Sequence, residues 1–162
     1  MVTFGGNPVT LEGKPLETGE QMPDFTVVNT DLEEIRPMEK PGRKIILSVP
    51  SADTPVCSME LGKFVNFVQN VEDVEVISVS EDLPFALARW NKEHDNKKII
   101  TASDFKLDDF AARTGTRMKE NGLLCRAAFV TDEKGRLVYV EYVDEVTHEP
   151  DYELIYKAAG LK

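Results

Sequence analysis

Cysteine, histidine and tryptophan are scarce in this chain, and long hydrophobic segments are absent. Its 162 residues include two cysteines, two histidines and one tryptophan. Two cysteines cannot build a disulfide framework, and no cluster of cysteine and histidine has the spacing of a zinc site. No segment approaches the roughly 20 apolar residues that a bilayer-spanning helix needs. The sequence therefore predicts no disulfide scaffold, no metal or other cofactor, and no membrane span.

Basic residues are also in the minority. The chain has 19 lysines and arginines against 29 aspartates and glutamates, which gives a formal net charge of −10. A field of this sign repels phosphate backbones and anionic lipids, so we expect neither nucleic-acid nor membrane partners. The first residues, "MVTFGGNPVTLEGKP", lack the basic and apolar parts of a signal peptide. We therefore expect a cytoplasmic protein with two free thiols.

The remaining composition is that of an ordinary folded domain. Hydrophobic residues make up 41% of the chain, which is enough to bury a sizeable core. No internal repeat or low-complexity segment divides the sequence, and its length suits one domain. We predict that residues 1–162 form a single domain.

Alternating strand and helix patterns predict the fold class. Short apolar segments predict strands at 25–28, 44–49, 74–80, 98–101, 127–131 and 136–143. Helices are predicted at 57–70, at 105–114 and at 150–159. Another is predicted from Asp82 and Pro84 onward, since the Asp82 carboxylate can cap the exposed amides and proline suits a first turn. Glycine-containing turns at 5–8 and 132–135 predict two hairpins. This order is typical of an α/β thioredoxin-like fold, a central mixed β-sheet flanked by helices, with an N-terminal β-hairpin extension.

Cys57 closes the segment "PSADTPVC", where a strand pattern gives way to a helix pattern. Only the thiolate form of cysteine is a good nucleophile, and the free amides at a helix start favour an anion. The Thr54 hydroxyl can reach both the sulfur and an oxygen-bearing substrate, while Pro50 and Pro55 stiffen the loop. Taken alone, these residues fit a reactive cysteine and a small buried cysteine about equally well.

Four sequence blocks favour the reactive cysteine. The spacing Pro50-x-x-x-Thr54-x-x-Cys57 resembles the active-site signature of the peroxiredoxins. The wider "SVPSADTPVCSMELGKF", with "SEDLPFALARW", "LLCRAAFV" and "YVEYVDEVTHEPDYE", is similar to the thiol peroxidase subfamily over nearly the whole chain. The predicted N-terminal hairpin also resembles the extension of that subfamily.

The resemblance implies a function and a set of site residues. It implies a peroxidase that reduces hydrogen peroxide and organic hydroperoxides, with Cys57 as the peroxidatic cysteine that becomes a sulfenic acid. It further implies that Thr54 and Arg126 position the peroxide and the thiolate and that Pro50 shields the pocket. Donors along the path from sulfur to the leaving oxygen would lower the barrier, and the planar fork of Arg126 suits that role better than lysine. An exposed charge on a strand is the alternative for Arg126.

The sequence departs from the subfamily at the second redox cysteine. The block "LPFALARW" is followed by Asn91, where the subfamily typically has its resolving cysteine. Cys125 precedes Arg126 on a predicted strand, so the two side chains should face opposite ways, which favours a core role for Cys125 over a resolving one. The resemblance then implies recycling by an outside thiol, such as thioredoxin, and a homodimer. An intermolecular disulfide and a Cys57–His94 pair remain alternatives.

A second hypothesis concerns the function as a whole. A chain without its resolving cysteine could keep a reactive Cys57 and act as a thiol-based redox sensor or binding module with little turnover. Steady consumption of peroxide with a thiol reductant separates this hypothesis from a peroxidase.

Overall fold

The structure is a computed structural model that describes residues 1–161, and it contains four α-helices, one 3-10 turn (Pro37–Glu39) and eleven strands within that range. The helices are α1 (Pro55–Phe67), α2 (Pro84–Glu93), α3 (Asp109–Thr114) and α4 (Tyr152–Ala158). The strands are β1 (Thr3–Phe4), β2 (Asn7–Pro8), β3 (Leu11–Glu12), β4 (Val27–Val28), β5 (Glu34–Ile35), β6 (Arg43–Ser48), β7 (Val74–Ser80), β8 (Ile100–Ser103), β9 (Arg117–Met118), β10 (Ala127–Thr131) and β11 (Leu137–Tyr142). No helix among the described residues has the length and apolar character needed to cross a membrane.

Seven strands form one central sheet in the order β11-β10-β6-β7-β8-β4-β5. Strands β6, β7 and β8 run parallel, and the remaining neighbours pair antiparallel. The parallel strands β6 and β7 are buried along almost their whole length, which is why their sequences are nearly continuous apolar runs. The mixed sheet with flanking helices confirms the predicted α/β class.

The core has two parts, one on each face of the sheet. Side chains alternate along β6, so Ile46 packs in one cluster while Ile45 and Leu47 pack in the other. Helix α3 covers the first cluster through Phe110. Helices α1, α2 and α4 cover the second. Residues 49–54 connect the carboxyl end of β6 to the start of α1.

Both predicted hairpins are present, but the first turn is shorter than predicted, because Asn7 and Pro8, expected within the turn at 5–8, form β2. Strands β1 and β2 pair antiparallel across Gly5 and Gly6, whose φ angles of 58° and 86° favour glycine. Strands β10 and β11 are joined at 132–135, with Gly135 at φ 84°. The N-terminal extension predicted from the sequence is confirmed.

Local side-chain hydrogen bonds move several boundaries. The strand predicted at 98–101 begins at Ile100, because the Asn96 side chain binds the amides of Lys98 and Ile99. The helix predicted at 105–114 begins at Asp109, because Asp104 accepts hydrogen bonds from two amides in its first turn. Strands β3, β5 and β9 were not predicted, since two residues are too few to show a period.

Candidate active site

Helix α1 begins with a threonine cap and a proline. The Thr54 hydroxyl accepts a hydrogen bond from the amide of Cys57 at 3.1 Å, and its carbonyl accepts one from Ser58 at 2.9 Å. Pro55 occupies the first helical position, where a missing N–H costs nothing. Cys57 is the third residue of the helix and is fully buried. The sequence Thr-Pro-x-Cys thus places the thiol at the positive end of α1.

The loop before α1 is fixed by Asp82. Its carboxylate accepts hydrogen bonds from the Ser51 hydroxyl at 2.6 Å and the Ala52 amide at 2.8 Å. The sequence predicted that Asp82 caps α2, and this prediction is wrong: Leu83 is the N-cap of α2 and makes no side-chain cap bond. The Asp82 carboxylate instead binds the loop that carries Thr54, at the carboxyl ends of the neighbouring strands β6 and β7.

Arg126 meets Cys57 from the neighbouring part of the sheet. It lies directly before β10, which pairs with β6, and it is only 1% exposed. Its Nη2 atom donates to the Cys57 sulfur at 3.1 Å. The structure thus brings Cys57, Thr54 and Arg126 together, although 69 residues separate the cysteine from the arginine. The alternative of an exposed charge for Arg126 is wrong.

Two further groups hold the guanidinium in place. Glu60 Oε1 accepts from Arg126 Nη1 at 2.5 Å, and the Val146 carbonyl accepts from Arg126 Nε at 2.8 Å. The sequence reasoning missed both residues. Glu60 does carry a signal, because it stands beside Leu61 on the apolar stripe of α1 and is fully buried there. A glutamate on a buried helix face needs a buried cation, whereas a backbone carbonyl such as that of Val146 leaves no trace in the sequence.

The ionisation of this cluster is set by burial and charge. Burial raises the pKa of Glu60 to about 7, against the opposing attraction of Arg126. The second carboxyl oxygen of Glu60 is buried and has no hydrogen-bond partner among the described residues, which adds to the cost of its charge. Burial lowers the pKa of Arg126, but attraction to Glu60 and Cys57 outweighs it, and the net shift is upward. Arg126 is therefore charged whenever Cys57 is a thiolate.

Glu60 should make stability depend on pH. Because its pKa rises from 4.5 to about 7 on folding, the folded state binds more protons than the unfolded state between these values, and the free energy of unfolding falls as pH rises through that window. Over this pH range, the free energy of unfolding of Glu60→Gln should fall by about 3 kcal/mol less than that of the wild type. Urea unfolding at several pH values checks it. A variant whose stability follows the same pH curve as the wild type contradicts the assignment.

A cavity of about 210 Å³ adjoins the cluster. Its walls are mostly apolar and come from the α1 start, the N-terminal hairpin and the segments around Arg126 and Val146; the lining residues are Phe4, Pro50, Thr54, Pro55, Val56, Leu123, Arg126, Val146 and Thr147. Pro50 thus lines the same cavity as Thr54 and Arg126, and Cys57 is not a lining residue but contacts Arg126. A small substrate in this cavity would lie against Thr54 and Arg126.

Cys125 lies away from this cavity. Its side chain packs in the core cluster on the α3 face, and its backbone is held by Thr116 and Ser48. Burial raises the pKa of the Cys125 thiol to about 12. Cys125 is thus kept in its protonated, weakly nucleophilic form.

The other sequence candidates lie outside the cavity wall. The His94 ring stacks on Trp90 with centroids 4.1 Å apart, and its Nε2 lies 3.3 Å from the Ser58 hydroxyl, so its contacts do not include Cys57. Leu87 and Trp90 pack in the core, and Phe85 is exposed. None of these three apolar residues lines the cavity that Thr54 and Arg126 share.

Within residues 1–161, one carboxylate cluster is compact enough to share a cation. Glu81, Asp104 and Asp108 place oxygens within 4.8 Å of one another. Both oxygens of Asp104 already accept amide hydrogen bonds at the start of α3. Burial raises the pKa of Asp104 to about 6 and that of Glu81 to about 8. Protons bound by these carboxylates therefore compete with any cation there, and Asp104 is occupied as the acceptor for the first turn of α3.

Comparisons with known proteins identify the family. The model of the Redoxin family matches residues 17–155. The thiol peroxidase of Bacillus subtilis is 43% identical over 159 residues, covering 98% of this chain and 95% of the relative. The thiol peroxidase of Clostridium acetobutylicum is 39% identical over 158 residues, covering 98% and 96%.

Solved structures give the same result. A peroxiredoxin-like protein from Aquifex aeolicus superimposes with a TM-score of 0.89 at 38% identity, covering 99% of this chain and 96% of that one. A thiol peroxidase from Chromobacterium violaceum shares the fold with a TM-score of 0.88 at 22% identity, covering 96% and 93%. These neighbours confirm the thioredoxin-like fold. The chain belongs to the redoxin family, among the thiol peroxidases of the peroxiredoxin type, and is a thiol-dependent peroxidase.

Proposed function

We propose that this enzyme reduces hydrogen peroxide and organic hydroperoxides through Cys57, with Thr54, Arg126 and Pro50 as the other site residues. The observation that carries the proposal is the buried 3.1 Å contact between Arg126 Nη2 and the Cys57 sulfur, at a helix start. A permanent cation and a row of free amides both favour the thiolate over the thiol.

The first half of the reaction is a nucleophilic displacement at oxygen. The Cys57 thiolate attacks the terminal peroxide oxygen, an S–O bond forms and the O–O bond breaks. Cys57 is oxidised to a sulfenic acid, and the leaving oxyanion takes a proton from solvent to become water or an alcohol. Negative charge moves from sulfur to the leaving oxygen, so donors that can follow it stabilise the transition state.

Thr54 and Arg126 are suited to follow that charge. The Thr54 oxygen already accepts the Cys57 amide, which leaves its own O–H free to donate to a bound peroxide. Arg126 donates to the sulfur through one nitrogen and is anchored through two others, so its fork stays in one orientation. Pro50 lines the cavity without offering an N–H that would bind competing water.

Recycling is assigned to an outside thiol, such as thioredoxin. Asn91 stands on α2, and its side chain is hydrogen-bonded to Thr101 and Asn96. An amide cannot reduce a sulfenic acid, and the thiol of Cys125 is buried and protonated. One external thiol would form a mixed disulfide with Cys57 and release water, and a second thiol would displace Cys57 as the free thiol.

The wider assignments follow from the family and the charge. We propose that the chain is a single domain, acts in the cytoplasm and forms a homodimer, as its resemblance to the thiol peroxidases suggests. Nucleic acid and membrane surfaces are not proposed as partners, because the net charge of −10 opposes binding to both.

The alternative function is a thiol-based redox sensor with little turnover. The observation that favours it is Asn91, which removes the usual internal route of reduction. The two functions differ in how much peroxide one molecule consumes.

Turnover measurements with the wild-type protein test the proposal. With thioredoxin, its reductase and NADPH, or with dithiothreitol, we expect many equivalents of peroxide to be consumed per chain. Without a thiol, one equivalent should add one oxygen to the intact mass, and excess peroxide should add more. A single stoichiometric oxidation despite reductant favours the sensor. Loss of two hydrogens within one chain makes Cys125 the resolving thiol.

A further inference from the structure

The N-terminal hairpin is too small to hold its own position. Strands β1 and β2 share two residue pairs, Thr3 with Pro8 and Phe4 with Asn7. An isolated hairpin of this size is at best marginally stable in water. Its place must therefore come from contacts with the rest of the protein. Val2 and Phe4 pack against the core cluster on the α3 face, and the hydrogen bonds described next come from the segment from Asp144 to Thr147.

Backbone hydrogen bonds join the hairpin to that segment. The Thr3 amide donates to the Asp144 carbonyl at 2.7 Å, and the Val146 amide donates to the Thr3 carbonyl at 2.8 Å. The two segments thus form a single parallel bridge at Thr3 and Glu145. One such bridge sets the direction of the strand but makes no contact with the turn of the hairpin.

The Glu145 carboxylate binds that turn. One oxygen accepts from the Thr3 hydroxyl at 2.7 Å and the Gly6 amide at 2.8 Å. The other accepts from the Gly5 amide at 2.9 Å and from the amide and hydroxyl of Thr147 at 2.9 and 2.7 Å. Consecutive amides in a left-handed turn form a concave anion site. The hydroxyls of Thr147 and Thr3 and the amides lower the pKa of Glu145, so the carboxylate stays ionised.

The same segment reaches the catalytic arginine on its other side. The carbonyl of Val146 accepts from Arg126 Nε, and Arg126 Nη2 contacts the Cys57 sulfur. Val146 and Thr147 also line the cavity, together with Phe4 from the hairpin. A displacement of the hairpin would therefore act on both the orientation of Arg126 and the wall of the cavity.

We propose that Glu145 is a positioning residue of the active site, whose carboxylate fastens the β1–β2 hairpin so that Val146 holds Arg126 against Cys57 and Phe4 closes the cavity wall. The proposal rests on the assignment of Cys57 as the reacting thiol. Phe4 is then a specificity-determining residue, since its ring offers apolar contact to the organic part of a hydroperoxide while hydrogen peroxide has none to offer in return.

A second glutamate provides a matched control. Glu120 also binds the N-terminal part of the chain, accepting the amide and the hydroxyl of Thr10, both at 2.8 Å. It is exposed and does not line the cavity. Glu120→Gln therefore removes an anchoring charge of the same kind without affecting Arg126 or Phe4.

The test compares Glu145→Gln with Glu120→Gln. The rate of Cys57 oxidation is followed by rapid quenching, and the thiolate fraction by its ultraviolet absorbance. We expect Glu145→Gln to slow oxidation about tenfold, since small displacements of a positioning group have large effects on rate, and to lower the thiolate fraction at neutral pH. Glu120→Gln should stay within about twofold of the wild type on both readouts.

Phe4→Ala tests the cavity wall. We expect it to slow oxidation by cumene hydroperoxide about fivefold, the effect of roughly 40 Å² of lost apolar contact, with hydrogen peroxide changed less than about twofold. Equal losses for both peroxides overturn the specificity role of Phe4.

Three outcomes overturn the positioning role of Glu145. They are a wild-type oxidation rate in Glu145→Gln, an equal loss in both glutamine variants, and a lowered melting temperature with rate and thiolate fraction unchanged. If the wild-type protein itself fails to reduce peroxide, the proposed function falls. Glu145 is then judged by the thiolate fraction and by amide exchange at residues 3–7, which should be faster in Glu145→Gln; unchanged values there overturn its role.

Discussion

Replacing Cys57 with serine is expected to abolish peroxide reduction. A serine hydroxyl keeps its proton at neutral pH, and neither the helix start nor Arg126 offers a base to remove it, so the nucleophile is lost. The fold should be retained, because serine matches cysteine closely in volume and Thr54 still caps α1 through the backbone of residue 57. We expect no consumption above the background rate in an assay with thioredoxin.

Cys125 provides the matched comparison. Its thiol is buried in the α3-face core and its pKa is about 12, so Cys125→Ala should keep the rapid oxidation by the first equivalent of peroxide within about twofold. Alanine is preferred to serine because it leaves no unpaired hydroxyl in the core. Loss of the rapid phase in Cys125→Ala, with retention in Cys57→Ser, would mean that the nucleophile is misassigned.

The parts of the site that sequence reasoning recovered are the local ones. Thr54, Pro55 and Cys57 form a cap, a first helical residue and a thiol within four positions, and each preference acts through neighbouring backbone groups. Arg126 lies 69 residues beyond Cys57. Nothing in its own neighbourhood marks it, and only the resemblance to the thiol peroxidases made it a candidate.

The groups that sequence reasoning missed act through tertiary contacts. Asp82 looked like a helix cap, but its carboxylate binds Ser51 and Ala52 because the sheet brings the ends of β6 and β7 side by side. Glu145 lies in the acidic segment "VDEVTHEPD". Its role depends on where the N-terminal hairpin docks, which local periodicity does not encode.

The strand boundaries show the same division. Long buried strands such as β6 and β7 were predicted almost to the residue, since burial on both faces leaves a continuous apolar run. The start of β8 was misplaced because one side chain, Asn96, binds two amides that would otherwise extend the ladder. Such competition between side chain and sheet depends on the turn geometry and has no periodic signature.

Arg126 should be the residue with the next largest effect on rate. Arg126→Ala removes the donor that faces the sulfur and the developing charge, and we expect the oxidation rate constant to fall about 10²- to 10³-fold. Arg126→Lys keeps the charge but offers a point donor where the arginine serves Cys57, Glu60 and Val146 at once. We expect it to recover only part of the loss and to remain about tenfold below the wild type.

Stability must be separated from rate in these variants. Arg126→Ala leaves Glu60 buried without a cation, and removing one partner of a buried pair costs about 3–5 kcal/mol. The pKa of Glu60 should then rise further above 7, since burial remains and the opposing attraction is gone. The double variant Arg126→Ala, Glu60→Gln carries neither charge of this buried pair, so it should regain much of the stability while its oxidation stays slow. Stopped-flow oxidation measures the rate and urea unfolding measures the stability. Both are applied to the wild type, to the two single variants of Arg126 and to the double variant. If the double variant recovers the oxidation rate along with the stability, Arg126 serves the fold and the thiolate is stabilised by the start of α1 alone.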